Sequence, residues 1–457
     1  MMIFMSPRAG GVLVMTLVFV TMFLVMFTGL VGVVSRSYRQ AVVQSHDEIA
    51  LQVAEAGLSF GRWRLAHDAE DLAAETRVVR DQFAGDLGSF AVTFVPQPGS
   101  SVVEISSQGQ AASLAERTVT LRARYGIPSL ARYAFLTNED VWYGGEIHGP
   151  AHANGGIRMD GQSDSQMTSA KETYICQPYH GCNYVTKPGI WGSGGLAELW
   201  EFPVAPVDYN AVTLDLLTMK EQARETNTYL GPSGGFGYEL EFNDDNTYAI
   251  YRVTARGPNV WSWFAETGWQ NTSHDVGRRS LLGRQAVPSG GVIYSEDTLW
   301  ISGDIRDRVT VAAGVFPDTP STNVDIIING DLSYGGVKDG TRVLGAIAQR
   351  HVLIPWSGAD DELEINGAFI AQKGRFGRRY YRNCCGTQAH ALKTQITRYG
   401  MVASNLVPVT AWVDGSGRVV SGYRRGNSAY DPRLAYQPPP YFPVAGQYEF
   451  ISWEEVE

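Results

Sequence analysis

Along this chain the apolar positions fall into three regimes. Residues 11–34, GVLVMTLVFVTMFLVMFTGLVGVV, form one uninterrupted apolar run without a charged residue. As a helix, that run is long enough to cross about 30 Å of hydrocarbon. Between Ser35 and His67 the small and apolar residues return at helical spacing, at Ala50, Val53, Ala54, Gly57, Phe60 and Gly61, with no Pro and no Gly before Gly57. The two stretches read as one helix over 12–67, about 84 Å long at 1.5 Å per residue. The period then shortens to two. Stretches 89–95, 101–107 and 117–125 alternate as strands do, with 96–99 as a turn, while 68–81 is charged and reads as a connecting loop or frayed helix. The pattern predicts a helix packed on a small antiparallel sheet over 35–126, one sheet face covering the soluble half of the helix.

Residues 127–457 follow the third regime. Short apolar strands are punctuated by Gly, a one-residue spacer and an aliphatic or aromatic residue: Gly145-Glu146-Ile147, Gly303-Asp304-Ile305, Gly330-Asp331-Leu332, Gly345-Ala346-Ile347 and Gly367-Ala368-Phe369. The spacings are irregular, which excludes a fixed repeat array. They fit an irregular β-solenoid with small residues at its corners, and a β-sandwich is the alternative. The fold class is therefore α+β, mostly β: a transmembrane and spine helix, a small sheet and a large β-rich body. Within the body, 196–285 reads as an insertion, a lid or subdomain with a helix near 210–226 and a hairpin of 238–242 with 248–253. Residues 430–457 are Pro- and aromatic-rich and read as an extended strap across the body.

Composition narrows the picture. The 457 residues include 50 Gly, 21 Pro, 11 Trp, 22 Tyr and 18 Phe against 18% charged residues, which is a folded, turn-rich composition. A net charge of −10 argues against a general nucleic-acid or anionic-membrane surface. Four Cys make no disulfide scaffold. Cys176 and Cys182 bracket a small loop and are a candidate pair in an exported domain, whereas Cys384 and Cys385 are adjacent and their state stays open.

The N-terminus carries a resemblance. Arg8-Ala9-Gly10-Gly11 before the apolar run looks like a prepilin leader over 1–11, cut after Gly10 or Gly11. Ala54-Glu55-Ala56-Gly57-Leu58 near the helix end completes a pattern that resembles the PilX-type minor pilins of type IV pilus assembly. Gly149-Pro150-Ala151-His152-Ala153-Asn154-Gly155 also resembles a corner found in large PilX-like proteins. Most pilins carry Glu at the fifth mature position, where this chain would have Thr16 or Met15. That departure resembles the K-type pseudopilins, which occupy filament tips. The resemblance implies processing by a prepilin peptidase and residence in the bacterial inner membrane with the body outside. It further implies partnership with other pilins and inner-membrane assembly proteins, and close helix packing along Ala54, Gly57 and Gly61.

Candidate chemistry is sparse. His148 and His152 lack a third ligand nearby. The runs 243–246 and 360–362 lack the spacing of a calcium loop. Asp304, Asp325 and Asp331 are carboxylates of the kind a polysaccharide-active enzyme would need. Lys373, Arg375, Arg378, Arg379 and Arg382, interleaved with Phe376, Tyr380 and Tyr381, form a candidate patch for DNA or a surface polysaccharide. No cofactor is implied. The expected function is that of a non-enzymatic minor pilin, tip or initiating. The alternative is an adhesin or polysaccharide-active enzyme tethered by a signal anchor.

Overall fold

The computed structural model describes residues 9–68, 70–81, 85–97, 101–112, 117–210, 212–444 and 448–456, with the side chains of 9 and 10 excepted. Most of the expected leader therefore lies outside the described residues. The chain divides into two compact units: one comprises 1–95, 103–125 and 452–457, the other 96–102 and 126–451.

The first unit is built on a single helix, Ala9–His67. Its apolar segment contains three Thr, and the hydroxyls of Thr16, Thr21 and Thr28 fold back on the carbonyls of Val12, Leu17 and Leu24 at 2.9 Å each. No side-chain donor is left open in the part apolar enough to cross a membrane. From Ala50 onward one face is covered: Ala50, Val53, Ala54, Leu58 and Leu65 are buried. Phe90, Val92, Phe94, Ile105, Leu121 and Ala123 are buried at alternate positions of the sheet, and strand Val103–Ala111 packs on this helix face. Each such apolar side chain, fully buried, contributes about 1.5–3 kcal/mol. At the helix end Arg64 pairs with Asp71 and Glu75 and donates to the Ala73 carbonyl at 2.9 Å. That clamp sets the exit into the first strand.

The sheet order is Glu75–Asp81, Gly85–Pro96, Val103–Ala111, Thr118–Gly126, Glu449–Val456. Its two outer strands correct the sequence reading. Residues 75–81, expected as loop or frayed helix, pair antiparallel with 85–92. Residues 449–456, expected as strap, form the last strand. Both lie at sheet edges, where charged residues such as Arg77 and Arg80 replace the apolar alternation that marks an interior strand.

The second unit stacks short parallel strands in register, the arrangement of an irregular solenoid. One ladder runs Gly291–Ser295, Arg308–Ala313, Val343–Ala348, Glu362–Ala371 and Leu392–Ser404. A second runs Tyr238–Phe242, Leu299–Asp304, Ile326–Ser333, Val352–Ile354 and Phe376–Arg378. Stack order departs from chain order. Phe135–Thr137, Ala151–Ala153 and Met167–Ser169 come earlier in sequence yet continue the first ladder beyond residues 402–404.

These strands are covered on both faces, so they read as continuous apolar runs. Val309, Val311, Leu344, Ala346 and Phe369 face the solenoid interior. Tyr294, Ala312, Ile347, Ile370 and Ala403 face outward, beneath Val212, Leu216, Met219 and Ala223 of the helix Val212–Glu225 and beneath Leu434 and Phe442. The stretch 196–285, read from sequence as an insertion, supplies rungs of its own: Tyr229–Leu230 and Tyr238–Phe242 pair in parallel with the strands that follow them in the stack. The Pro-rich segment does lie on the body, where Arg308 donates to the Pro438 carbonyl at 2.6 Å.

Candidate functional site

Two features concentrate what this chain offers to partners. The first is the helix. Residues 11–34 are exposed along their whole length, whereas the stripe farther along is closed by the chain's own sheet. A Cβ on Gly57 would lie 2.1 Å from Ser107 Oγ and 2.9 Å from the Phe90 ring, and one on Gly61 would lie 2.9 Å from Ile105 Cγ2. Ala54 is fully buried. Ala54, Gly57 and Gly61, expected to pack against neighbouring helices, therefore pack within the molecule. The reason is steric: only small residues let the helix backbone approach the sheet this closely. Gly10 and Gly11 lie in the first turns of the helix, with open space around Gly11.

The second feature is a cavity in the solenoid. Strand Leu392–Ser404 changes partners at Gly400: residues 392–399 pair with 422–429, and residues 402–404 pair with 135–137. A cavity of about 660 Å³ lies beside this divergence, lined by Phe135, Trp142, Tyr143, His148, Arg398 and Ser428 among others. It shares Trp142 and the 407–410 segment with a second hollow of about 1020 Å³, which Tyr179, Trp263 and Trp412 also line.

Arg398 occupies an inward position, in register with Ile365 below and Ser428 above. Its Nη2 donates to Ser428 Oγ at 2.7 Å, its guanidinium lies 5.3 Å from the Phe135 ring centre, and its Nε has no hydrogen-bond partner. Among the described residues no carboxylate pairs with it. Burial pulls its pKa down to about 10, against a smaller opposing effect of Tyr143. Tyr143 is itself pushed up by burial. At the rim, His148 Nδ1 sits 2.7 Å from Asp164 Oδ2, which raises the imidazole pKa, and Glu146 lies 3.7 Å from its Nε2.

The remaining sequence candidates resolve differently. His152 is buried between Thr168 at 2.8 Å and Asn154 at 2.9 Å, and burial lowers its pKa. It does not converge with His148 on a ligand. The basic cluster is not a surface patch, and this corrects the polyanion expectation. Arg375 is buried and paired with Glu266 at 2.6 Å. Arg378 is fully buried and donates to the carbonyls of Trp356 at 2.9 Å and Ala391 at 3.1 Å. Arg379 is buried against Ser262, Thr267 and Gln270. Lys373 pairs with Asp318. Arg382 is exposed, stacked 4.5 Å over Trp269. The basic and aromatic interleaving is consumed internally: Arg375 and Arg379 both lie over Phe264, at 4.9 and 4.7 Å.

Among the carboxylates, Asp325 is buried in a two-pronged pair with Arg350 at 2.7 and 2.6 Å. Asp304 pairs with Arg306 at 3.4 Å, and Asp331 accepts from the Glu364 amide at 2.8 Å. Burial, then Asp360, Glu364 and Asp304, raise the Asp331 pKa. Cys176 joins Cys182, and Cys384 joins Cys385. Arg398 and Trp142 escaped the sequence reading. The available signal was a charge in step with Ile396 on a strand whose alternate positions turn inward.

No protein-family model and no curated protein matches the chain. Among solved structures, the competence-associated pilin ComZ from Thermus thermophilus is similar over 90% of this chain and 98% of that chain, with 12% identity and a TM-score of 0.31. A likeness that loose carries no argument about function, which rests on the chain's own geometry.

Proposed function

We propose that this chain is a membrane-anchored minor pilin, an assembly subunit held in the inner membrane and then built into a type IV pilus or pseudopilus. One observation carries the reading. A single helix, Ala9–His67, leaves residues 11–34 uncovered while its later turns are locked onto an antiparallel sheet of the same chain. The uncovered surface demands lipid first and neighbouring helices afterwards, which is the life cycle of a pilin spine. The Ala54–Leu58 pattern and the leader-like Arg8–Gly11 stretch support the same assignment. A tip or initiating place suits a chain without an acid at Met15 or Thr16. A buried carboxylate in lipid is costly unless it meets a partner amine, and a first subunit has no predecessor to satisfy. The partners are other pilins, inner-membrane assembly proteins and a prepilin peptidase.

Co-expression with a prepilin peptidase, followed by intact-mass measurement, tests this. The expected product lacks the first ten or eleven residues and retains the apolar run. A soluble product cut after Val34 would overturn the reading.

A further inference from the structure

We propose that the cavity at Arg398 is a binding site for an acidic saccharide, with the guanidinium receiving a sugar carboxylate and the neighbouring aromatic rings receiving pyranose faces. The proposal is independent of the pilin reading. It starts from an unbalanced charge. Arg398 is held by one hydroxyl, that of Ser428, and its Nε is enclosed without a partner. Arg398 is half-buried; a guanidinium partly withdrawn from water and left without a counter-ion is costly, and its planar fork matches a carboxylate. The structure therefore keeps a cation ready and leaves its partner to come from outside.

The surroundings select the rest of the ligand. Trp142 stands on the wall shared by the two hollows and is 44% exposed, and Tyr179 on the second hollow is 66% exposed. Trp263 and Trp412 meet edge-on there, with centres 5.3 Å apart. Exposed flat rings beside polar groups suit a ligand with one apolar and one hydroxylated face. Tyr143, His148 and Asn427 supply hydroxyl, imidazole and amide partners around the guanidinium. The cavities, about 660 and 1020 Å³, match the size of small-molecule sites and together suit a short oligomer.

A nucleic acid fits less well. Its phosphates call for several cations along a track. The first cavity offers one guanidinium, enough for a single carboxylate but not for a phosphate track. In the second hollow Arg375 is already paired with Glu266.

The test is calorimetric titration of the detergent-solubilised full chain with tetragalacturonate, against neutral maltotetraose and an eight-residue oligothymidylate. Saturable tetragalacturonate binding is expected, with maltotetraose and the oligonucleotide each weaker by about tenfold or more. Arg398→Gln should weaken the acidic ligand about tenfold and leave maltotetraose unchanged, and Trp142→Ala should weaken both oligosaccharides. Thermal unfolding of each variant shows whether it is folded. If Arg398→Gln does not fold, the salt dependence of wild-type binding replaces it: affinity for tetragalacturonate, and not for maltotetraose, should fall as salt rises. Absence of saturable binding, equal affinity for the neutral sugar, equal affinity for the oligonucleotide, or a folded Arg398→Gln with unchanged affinity would each overturn the proposal.

Discussion

Gly400 stacks in register on Gly367, and a Cβ on Gly400 would lie 2.0 Å from the Gly367 carbonyl oxygen. Both residues hold positive φ, 127° and 155°, which disfavours a side chain at either, and at Gly400 space excludes one as well. Gly400 is also where its strand changes partners. Gly400→Ala should destabilise the body by about 2–3 kcal/mol, a fall in Tm of roughly 4–8 °C. Thermal unfolding of the full chain in detergent measures it, and an unchanged Tm would show that the rungs slide apart without cost.

Two helix glycines should separate folding from assembly. Gly57→Leu drives a side chain into Ser107 and Phe90 and should loosen the purified subunit itself, seen as faster proteolysis after the helix. Gly32 has nothing within 4 Å, so Gly32→Leu should leave the purified subunit as it was and reduce only its incorporation into filaments. Equal resistance of both variants to protease would contradict the intramolecular role of Gly57.

Acid should act through Asp325. Burial pushes its pKa up, but the hydrogen bonds from Arg350 together with the charges of His351, Arg350 and His274 outweigh that and hold it below the ordinary 3.8. A depressed carboxylate contributes stability that is fully present above the unfolded value and lost as pH falls through the folded one. Asp325→Asn should therefore cost about 2–3 kcal/mol at neutral pH, less than a fully buried pair because the Arg350 side chain is 41% exposed. The gap from wild type should narrow only once the pH falls below the ordinary carboxylate value of 3.8 and through the depressed folded one. Urea titrations across pH 2.5–7 would expose a constant gap, the result that refutes this.

Export should leave Cys176 and Cys182 bonded. Thiol labelling of surface protein without reductant should miss both. Cys182→Ser should raise protease sensitivity within 177–184 and leave the rest of the body intact, because the bridge closes only a small loop of the Thr173–Cys176 and Val185–Pro188 hairpin. Full labelling of both thiols in surface protein would exclude the bond.

The amino acids alone determined the spine helix, the three inner alternating strands of the first sheet and the β-rich, Gly-punctuated character of the body, whereas the parallel stacking that separates a solenoid from a sandwich came from the tertiary structure. Period and composition are local properties, and residues such as 11–34 or Val343–Ala348 carry them without reference to the rest of the chain. Tertiary structure decided what those elements meet. Gly57 and Gly61 look equally suited to a neighbouring helix or to the chain's own sheet, and only the position of Ser107 and Ile105 settles the choice. Arg375, Arg378 and Arg379 read as a basic surface because charge is usually solvated, yet Glu266, backbone carbonyls and Phe264 reach them from distant segments. Stack order was equally hidden, since residues 135–137 pair with 402–404 across most of the chain. Long-range pairing depends on which surfaces are still uncovered when the chain closes, and no window of local sequence records that. The same holds for Arg398, whose missing partner becomes visible only once its neighbours are in place.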